Sequence, residues 1–134
     1  MIDYAAVLKK NPCGVLATRD GDGVRTRVFQ YLFTDDNKVY FCTSSQRPVY
    51  KQMQANPNVS FCSFSADFNP VLSVNGKAVF VDDIALKTRA LDENPHIKDI
   101  FKVPDNPVFK IFYIDAKEVG TFNFAEGSKV YKTA

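Results

Sequence analysis

The stretch RTRVFQYLFTDDNKVYFCTSSQRPVYKQMQANP, residues 25–57, decides the fold and is the most informative part of the chain. It predicts a strand with two arginines, a tight turn, a second strand that ends at Thr43, and a helix that opens at Pro48 behind Arg47. Hydroxyl groups, a guanidinium and the free amides of a helix N-terminus then gather at one corner, which is how proteins often bind phosphate. The sequence therefore predicts a site for a phosphorylated ligand there.

In the strand that begins at Val24, side-chain alternation places two arginines and three aromatic residues on one face, namely Arg25, Arg27, Phe29, Tyr31 and Phe33. Such a face can bind an anion joined to a flat ring. It can also be the solvated outside of a barrel, where arginines cover aromatic edges. We favour the outer-surface interpretation for Arg25 and the phosphate interpretation for Arg27.

The residues of the corner, Thr43, Ser44, Ser45 and Arg47, offer hydroxyl donors and a forked cation to an anion. The alternative is that one of the serines merely caps the helix. The chain contains neither GxGxxG nor the GxxxxGKS or GxxxxGKT form of the P-loop, which disfavours both kinds of nucleotide-binding fold.

No catalytic constellation is recognisable elsewhere in the sequence. His96, the only histidine, follows an Asn-Pro pair far in sequence from the corner, and we interpret it as a surface residue. The aspartate pairs at 35–36 and 82–83 fit turns and helix caps and lack the spacing of metal ligands. The sequence therefore assigns no catalytic residue and no metal site.

The whole-chain properties are those of one globular domain over residues 1–134. Seventeen basic against 15 acidic residues give a net charge of +2, too small to indicate nucleic acid or a membrane surface as a partner. No apolar run approaches the ~20 residues of a membrane span. Cys13, Cys42 and Cys62 lie singly in apolar stretches, which predicts buried thiols in a reducing, cytoplasmic setting.

Turn signals divide the chain into about seven strands and two or three short helices. We predict helices at 3–10, 48–55 and 84–94, with a further turn or two at 96–102. We predict strands at 13–19, 24–34, 39–43, 59–64, 71–81, 108–114 and 119–124, followed by a polar tail. This pattern indicates a mainly β protein, an antiparallel β-barrel of about 6–7 strands with short helices at its rim.

The order of these elements resembles the pyridoxamine 5′-phosphate oxidase-like flavoproteins, the FMN-binding split β-barrels. The likeness is greatest to the small single-domain members grouped with nitroimidazole-resistance reductases, and it covers nearly the whole chain. The motifs that carry it are Arg27-Val28-Phe29, Phe41-Cys42-Thr43, Arg47, Asn56-Pro57-Asn58-Val59 and Asn75-Gly76-Lys77-Ala78-Val79.

The resemblance implies that FMN is the cofactor. It places Arg27 and the backbone of Val28 and Phe29 along the flavin and its phosphate, and it assigns the phosphate to Thr43, Ser44 and Arg47. Where the family often has a second lysine, this chain has Val49. Either Lys51, one helical step further on, substitutes for that lysine or the phosphate makes one contact fewer.

Other departures concern the substrate. The family's frequent arginine before the later glycine is Ser73 here, and the oxidase lysine on the first strand is Leu32. The oxidase's C-terminal segment for its pyridoxal substrate has no counterpart after Phe124. The resemblance therefore implies FMN binding without oxidation of pyridoxamine 5′-phosphate itself, in a homodimer that holds FMN at its interface.

The first functional hypothesis is an FMN-dependent oxidoreductase that reduces a small organic acceptor, a nitro compound or quinone, with electrons from a nicotinamide. The alternative is a flavin- or haem-binding carrier or sensor without turnover, since one fold can host several functions. A structural or interaction protein is a third hypothesis, which rests only on the aromatic surface.

The chain has more large aromatic residues than the inward face of one small barrel readily holds, so some of them must lie outside, where an apolar patch predicts a homodimer contact. These are Phe29, Tyr31, Phe61, Phe64, Phe112, Phe122 and Phe124.

Overall fold

Eight strands and four short helices make up the computed structural model, which describes residues 2–133. The helices are α1 (Tyr4–Lys10), α2 (Pro48–Ala55), α3 (Ile84–Glu93) and α4 (Pro95–Phe101). The strands are β1 (Cys13–Asp20), β2 (Gly23–Gln30), β3 (Phe33–Asp35), β4 (Lys38–Ser44), β5 (Asn58–Phe64), β6 (Val71–Val81), β7 (Phe109–Asn123) and β8 (Gly127–Lys132). None of these helices is long and apolar enough to cross a membrane.

All strand pairs are antiparallel, in the order β2-β1-β5-β6-β7-β4-β3, with β8 added beside β7. The two ends of this order, β2 and β3, follow each other in the chain but do not pair. The sheet therefore curls round so that its ends meet without closing. The predicted mainly β, antiparallel barrel with short helices is confirmed, with eight strands where about 6–7 were expected.

The predicted continuous strand at 24–34 is wrong, because the chain changes partner in its middle. The amide of Tyr31 donates to the carbonyl of Pro12 (2.7 Å), next to β1, and the amide of Leu32 donates to the carbonyl of Tyr40 (3.0 Å) on β4. The alternating residues 24–34 thus pair with one end of the sheet at their start and with the other end at their close. This break brings the end of β2 next to β4.

The C-terminal prediction is also wrong, since the expected strands 108–114 and 119–124 are one strand, β7, and part of the polar tail forms β8. Residues 115–118, between the two predicted strands, include three charged side chains. The register against β6 shifts between Asn75 and Gly76, so that Lys117 has no partner opposite it. A bulge of this kind absorbs one residue without ending a strand.

Burial of Val49 and Met53 fixes α2 against the barrel, and its predicted bounds are confirmed. Complete burial of such a side chain contributes about 1.5–3 kcal/mol. The helix therefore begins at a fixed place beside the end of β4.

Helices α3 and α4 cover a second core cluster, with Lys87, Ala90 and Leu91 facing inward. Ile84, at the start of α3, is 57% exposed.

Candidate functional site

The loop between β4 and α2 forms the predicted corner. Arg47 is the N-cap residue of α2, with an extended backbone, and no side chain caps the helix. Ser44 Oγ accepts a hydrogen bond from the amide of Gln46 (3.2 Å), within the loop. The amide of Ser45 donates to the carbonyl of Val108 (2.9 Å), which ties the loop to the start of β7. The alternative that a serine caps the helix is therefore wrong. Pro48 has no N–H and the amide of Tyr50 donates to the carbonyl of Arg47 (3.1 Å), so among the described residues only the Val49 amide of the first turn has no acceptor.

The side chain of Arg27, on β2, lies between β1 and α2, where it donates hydrogen bonds to uncharged groups. Its Nη1 donates to the carbonyl of Leu16 (3.1 Å) and to Thr18 Oγ1 (2.8 Å). Its Nη2 donates to Gln52 Oε1 (2.7 Å), which also accepts from Thr18 Oγ1 (2.8 Å). These bonds fix the guanidinium and leave its Nε–H and one Nη2 hydrogen for an external acceptor.

Positive charge exceeds negative charge at this corner, because one carboxylate, Asp20, lines the same cleft as Arg25, Arg27 and Arg47. Within residues 2–133, neither Arg27 nor Arg47 forms an ion pair, whereas the exposed Arg25 pairs with Asp20 (3.0 Å). Desolvation lowers the pKa of Arg27, partly offset by the charge of Asp20. Arg27, Arg47 and the first turn of α2 line one cleft of about 540 Å³. Two cations without an ion-pair partner beside a helix N-terminus are an arrangement that can attract an anion.

A second cavity, of about 530 Å³, shares Arg47 with the charged cleft. Thr43 lines it, and its hydroxyl is the one buried side-chain polar atom that has no hydrogen-bond partner among the described residues. Leaving such a group unpaired costs roughly 1–3 kcal/mol. A ligand atom that reached this hydroxyl would remove that cost. Most other walls are apolar, including Val28, Phe29, Ile97, Ile100, Phe101 and Val108.

His96 also lines this cavity, which the sequence did not reveal. Its Nε2 lies 2.6 Å from Gln30 Oε1 at the end of β2. The residue is exposed, as predicted, but its separation from the corner in sequence is not a separation in space. Only the topology of the fold could have predicted that His96 lines this cavity. The connection between β6 and β7 carries α3 and α4 past the end of β2.

The predicted site residues fall into two groups. Around Arg47 the structure gathers Val28, Phe29, Thr43 and Ser44 in one cavity, with Arg27 in the adjoining cleft. Lys51 is exposed and lines a different cleft on the other side of Gln52, with Arg19 and Asn56. The structure therefore does not bring Lys51 together with the others, and the buried side chain of Val49 does not replace it.

The cysteines supply no nucleophile to the cavity. Burial raises the pKa of the Cys42 thiol to about 12, although the nearby Arg47 lowers it somewhat, so the thiol stays protonated at neutral pH. Cys42 and Cys62 are half-buried and Cys13 is exposed, so the prediction of buried thiols is wrong for Cys13. In the described part of the chain, no three His, Cys, Asp or Glu side chains lie close enough to hold a metal ion.

Comparison with known proteins places this site in a family. The family model for pyridoxamine 5′-phosphate oxidase matches residues 2–123, which include both cavities. A NimC/NimA family protein from Clostridium acetobutylicum superposes with a TM-score of 0.86 at 24% identity, over 97% of this chain and 90% of that one. No curated protein matches the sequence significantly.

Two further solved structures share the fold and differ in the ligand they are named for. A FAD-binding protein from Mesorhizobium loti has a TM-score of 0.72 and 18% identity, over 90% of this chain and 94% of that one. A heme-binding protein from Mycobacterium smegmatis has a TM-score of 0.77 and 15% identity, over 94% of this chain and 55% of that one. At such identities the likeness concerns the fold alone.

Proposed function

The chain belongs to the pyridoxamine 5′-phosphate oxidase family, and on that basis we propose that it is an FMN-dependent oxidoreductase. Its substrate is a small organic acceptor, a nitro compound or a quinone, and its electron donor is a reduced nicotinamide. When bound, FMN supplies the redox chemistry itself. The protein's own residues bind the phosphate, orient the ring and keep water away from it.

This proposal rests on two arginines, Arg27 and Arg47, that form no ion pair within the described chain and line one cleft beside the start of α2. The FMN phosphate is a dianion, and a forked guanidinium can donate to two of its oxygens at once. Arg47 is the N-cap residue and Arg27 keeps two free N–H groups, so both can donate to one phosphate near the free amide of Val49. A neutral ligand would not compensate the positive charge of these two arginines.

The cavity on the other side of Arg47 suits the ring. Val28 and Phe29 on β2, with Val108 before β7, supply apolar surface, and the unpartnered hydroxyl of Thr43 supplies one hydrogen-bonding group. Ligand sites commonly combine a mostly apolar wall with a few well-placed polar groups. The residues present therefore fit a flavin whose phosphate lies in the charged cleft.

A carrier or sensor without turnover is the second candidate, and the position of His96 favours its haem form. An imidazole on the cavity wall could bind haem iron, and haem propionates could reach the same arginines. The absorption spectrum of the protein as purified separates the ligands, because flavin and haem absorb at different wavelengths. An intense haem band without a flavin band would favour this second candidate.

The proposed activity is tested by adding a reduced nicotinamide to the FMN-loaded protein without oxygen. An oxidoreductase should bleach the flavin absorption, and a quinone or nitro compound added afterwards should restore it. Protein that keeps FMN through desalting but never bleaches is a carrier. Protein that loses FMN on desalting contradicts both flavin functions.

Replacing Thr43 with valine should change the stability of the free protein and its FMN affinity in opposite senses. Valine has nearly the same shape but no hydroxyl, so the free protein should gain about 1 kcal/mol of unfolding free energy. FMN binding should weaken by about 1 kcal/mol because one hydrogen bond is lost. Urea unfolding without ligand and isothermal titration with FMN measure the two effects.

Thr18→Val is the matched control for that experiment. Thr18 is also buried, but its hydroxyl bonds to Arg27 and Gln52, so its loss should lower stability. If Thr43→Val destabilises the free protein as Thr18→Val does, the hydroxyl of Thr43 already makes a stabilising interaction within the protein, and the proposal that it binds a ligand is contradicted.

We also expect a homodimer that buries at least ~2,000 Å² in total, the range of obligate pairs. The prediction that some aromatics lie outside the barrel is confirmed, since Phe64, Phe68 and Phe124 are 45%, 44% and 78% exposed. Their rings form a contiguous chain, with centroids 6.2 and 6.3 Å apart, and such patches normally mark contact surfaces. Light scattering at micromolar concentration with FMN bound should give the dimer mass, and a monomer would contradict a site shared between chains.

A further inference from the structure

The cavity beside Arg47 has a wall on α4 that the proposed contacts of the flavin ring and phosphate leave unassigned. Ile100 on this wall is 69% exposed and lines the cavity. Apolar side chains held open to solvent within a cavity indicate a surface for a flat apolar ligand. His96 lines the same cavity and brings an imidazole to this wall.

A chain of hydrogen bonds fixes which ring nitrogen of His96 carries the proton. Asn94 Nδ2 donates to the carbonyl of Ala90 (2.8 Å), so Asn94 Oδ1 faces Gln30 and accepts from its Nε2 (3.0 Å). The remaining Gln30 oxygen, Oε1, then faces His96 Nε2 at 2.6 Å. An amide oxygen only accepts, so His96 Nε2 must be the donor.

The neutral imidazole therefore has a bare Nδ1. Within residues 2–133, no hydrogen bond other than that to Gln30 involves the His96 ring, so Nδ1 is left for a ligand. A bare ring nitrogen accepts a hydrogen bond and repels another acceptor. The matching group on a ligand is a hydroxyl or another donor at the edge of a flat ring.

We infer that His96 is the specificity-determining residue for the substrate and that it binds the hydroxyl of a flat phenolic ligand. This inference rests on the proposed function and narrows its substrate class. A quinone carbonyl and a nitro group both lack a hydrogen to donate, so a bare ring nitrogen recognises neither unless the ring also carries a hydroxyl. The cavity thus suits an acceptor whose flat ring bears a hydroxyl group, such as a hydroxyquinone.

Two probes of nearly equal shape test this directly, 1-naphthol and its methyl ether, 1-methoxynaphthalene. Their binding is measured by equilibrium dialysis against FMN-loaded protein at about pH 8, where an imidazole is ordinarily neutral. The wild type should bind 1-naphthol about threefold to tenfold more tightly, the gain of one hydrogen bond. His96→Phe, which keeps a flat apolar ring, should remove that preference and leave the binding of the ether unchanged.

Gln30→Leu separates the hydrogen-bond chain from a purely steric role of His96. It frees the imidazole to turn and to carry its proton on either nitrogen, so the naphthol preference should shrink although His96 is present. An unchanged preference in either variant, or none in the wild type, would overturn the inference. A naphthol that displaces FMN would also overturn it, because the naphthol would then occupy the place of the flavin ring and not a separate place beside His96.

The same measurements distinguish a failure of the inference about His96 from a failure of the proposed function. FMN retained through desalting by all three proteins, with no naphthol preference, would refute the role of His96 and leave FMN binding intact. A naphthol preference in protein that never retains FMN would refute the oxidoreductase and leave a phenol-binding cavity.

Discussion

Replacing Arg47 with alanine is expected to weaken FMN binding by about 2–3 kcal/mol, the cost of losing a charge-assisted pair to a partner that becomes partly buried. This corresponds to a roughly 30- to 140-fold higher dissociation constant. Arg47 has no ion pair in the described chain and lines both cavities, so its free charge is available to a phosphate. Riboflavin, which lacks the phosphate, should bind the wild type and the variant almost equally. Isothermal titration with both flavins gives the comparison.

Arg25→Ala is the matched control, since it removes the same charge from the same cleft. Arg25 is exposed and already paired with Asp20 at 3.0 Å, so its loss should change FMN affinity by no more than about 1 kcal/mol. Equal loss of FMN and riboflavin affinity in Arg47→Ala would mean that Arg47 maintains the fold and does not bind the phosphate.

Replacing Gln52 with glutamate should weaken FMN by at least about 2 kcal/mol, because like charges placed side by side cost several kcal/mol. The new carboxylate can accept the same hydrogen bonds from Arg27 and Thr18 that Gln52 Oε1 accepts now. Stability should therefore be kept. The carboxylate would, however, neutralise Arg27 and repel the phosphate in their shared cleft.

Gln54→Glu is the control for charge, because Gln54 lies on the same helix, is exposed and lines neither cavity. It should leave FMN affinity within about 0.5 kcal/mol of the wild type, as surface substitutions usually do. Urea unfolding of both variants shows whether each is folded. Similar affinities for FMN in the two variants would exclude Arg27 and Gln52 from the phosphate site.

The sequence predicted those parts of the fold that local signals determine. The bounds of α2 were predictable because Pro48 can occupy only the first turn and Asn56-Pro57 ends the helix. The break at Tyr31 was not, because alternation continues through it and only the partner strand changes. The fusion of two predicted strands into β7 was not predictable either, because only pairing with β6 shows that the residues between them form a bulge.

The site was predictable where its residues are neighbours in sequence. Thr43, Ser44 and Arg47 lie within one loop, so their meeting follows from the strand end and the helix start. The approach of Arg27 to Gln52 and of His96 to Gln30 depends on how the sheet curls and on the crossover through α4. Nothing local encodes either contact. Lys51 shows the converse, because sequence proximity to Arg47 does not place it in the same cleft.

The central claim is that this corner holds the phosphate of a flavin, and the affinity of the wild-type protein for FMN relative to riboflavin tests it most directly. Both dissociation constants are measured on the same preparation by isothermal titration. We predict that FMN binds at least about 30-fold more tightly, since Arg47 alone accounts for roughly that factor. Equal affinities, or no measurable binding of FMN, would contradict the account.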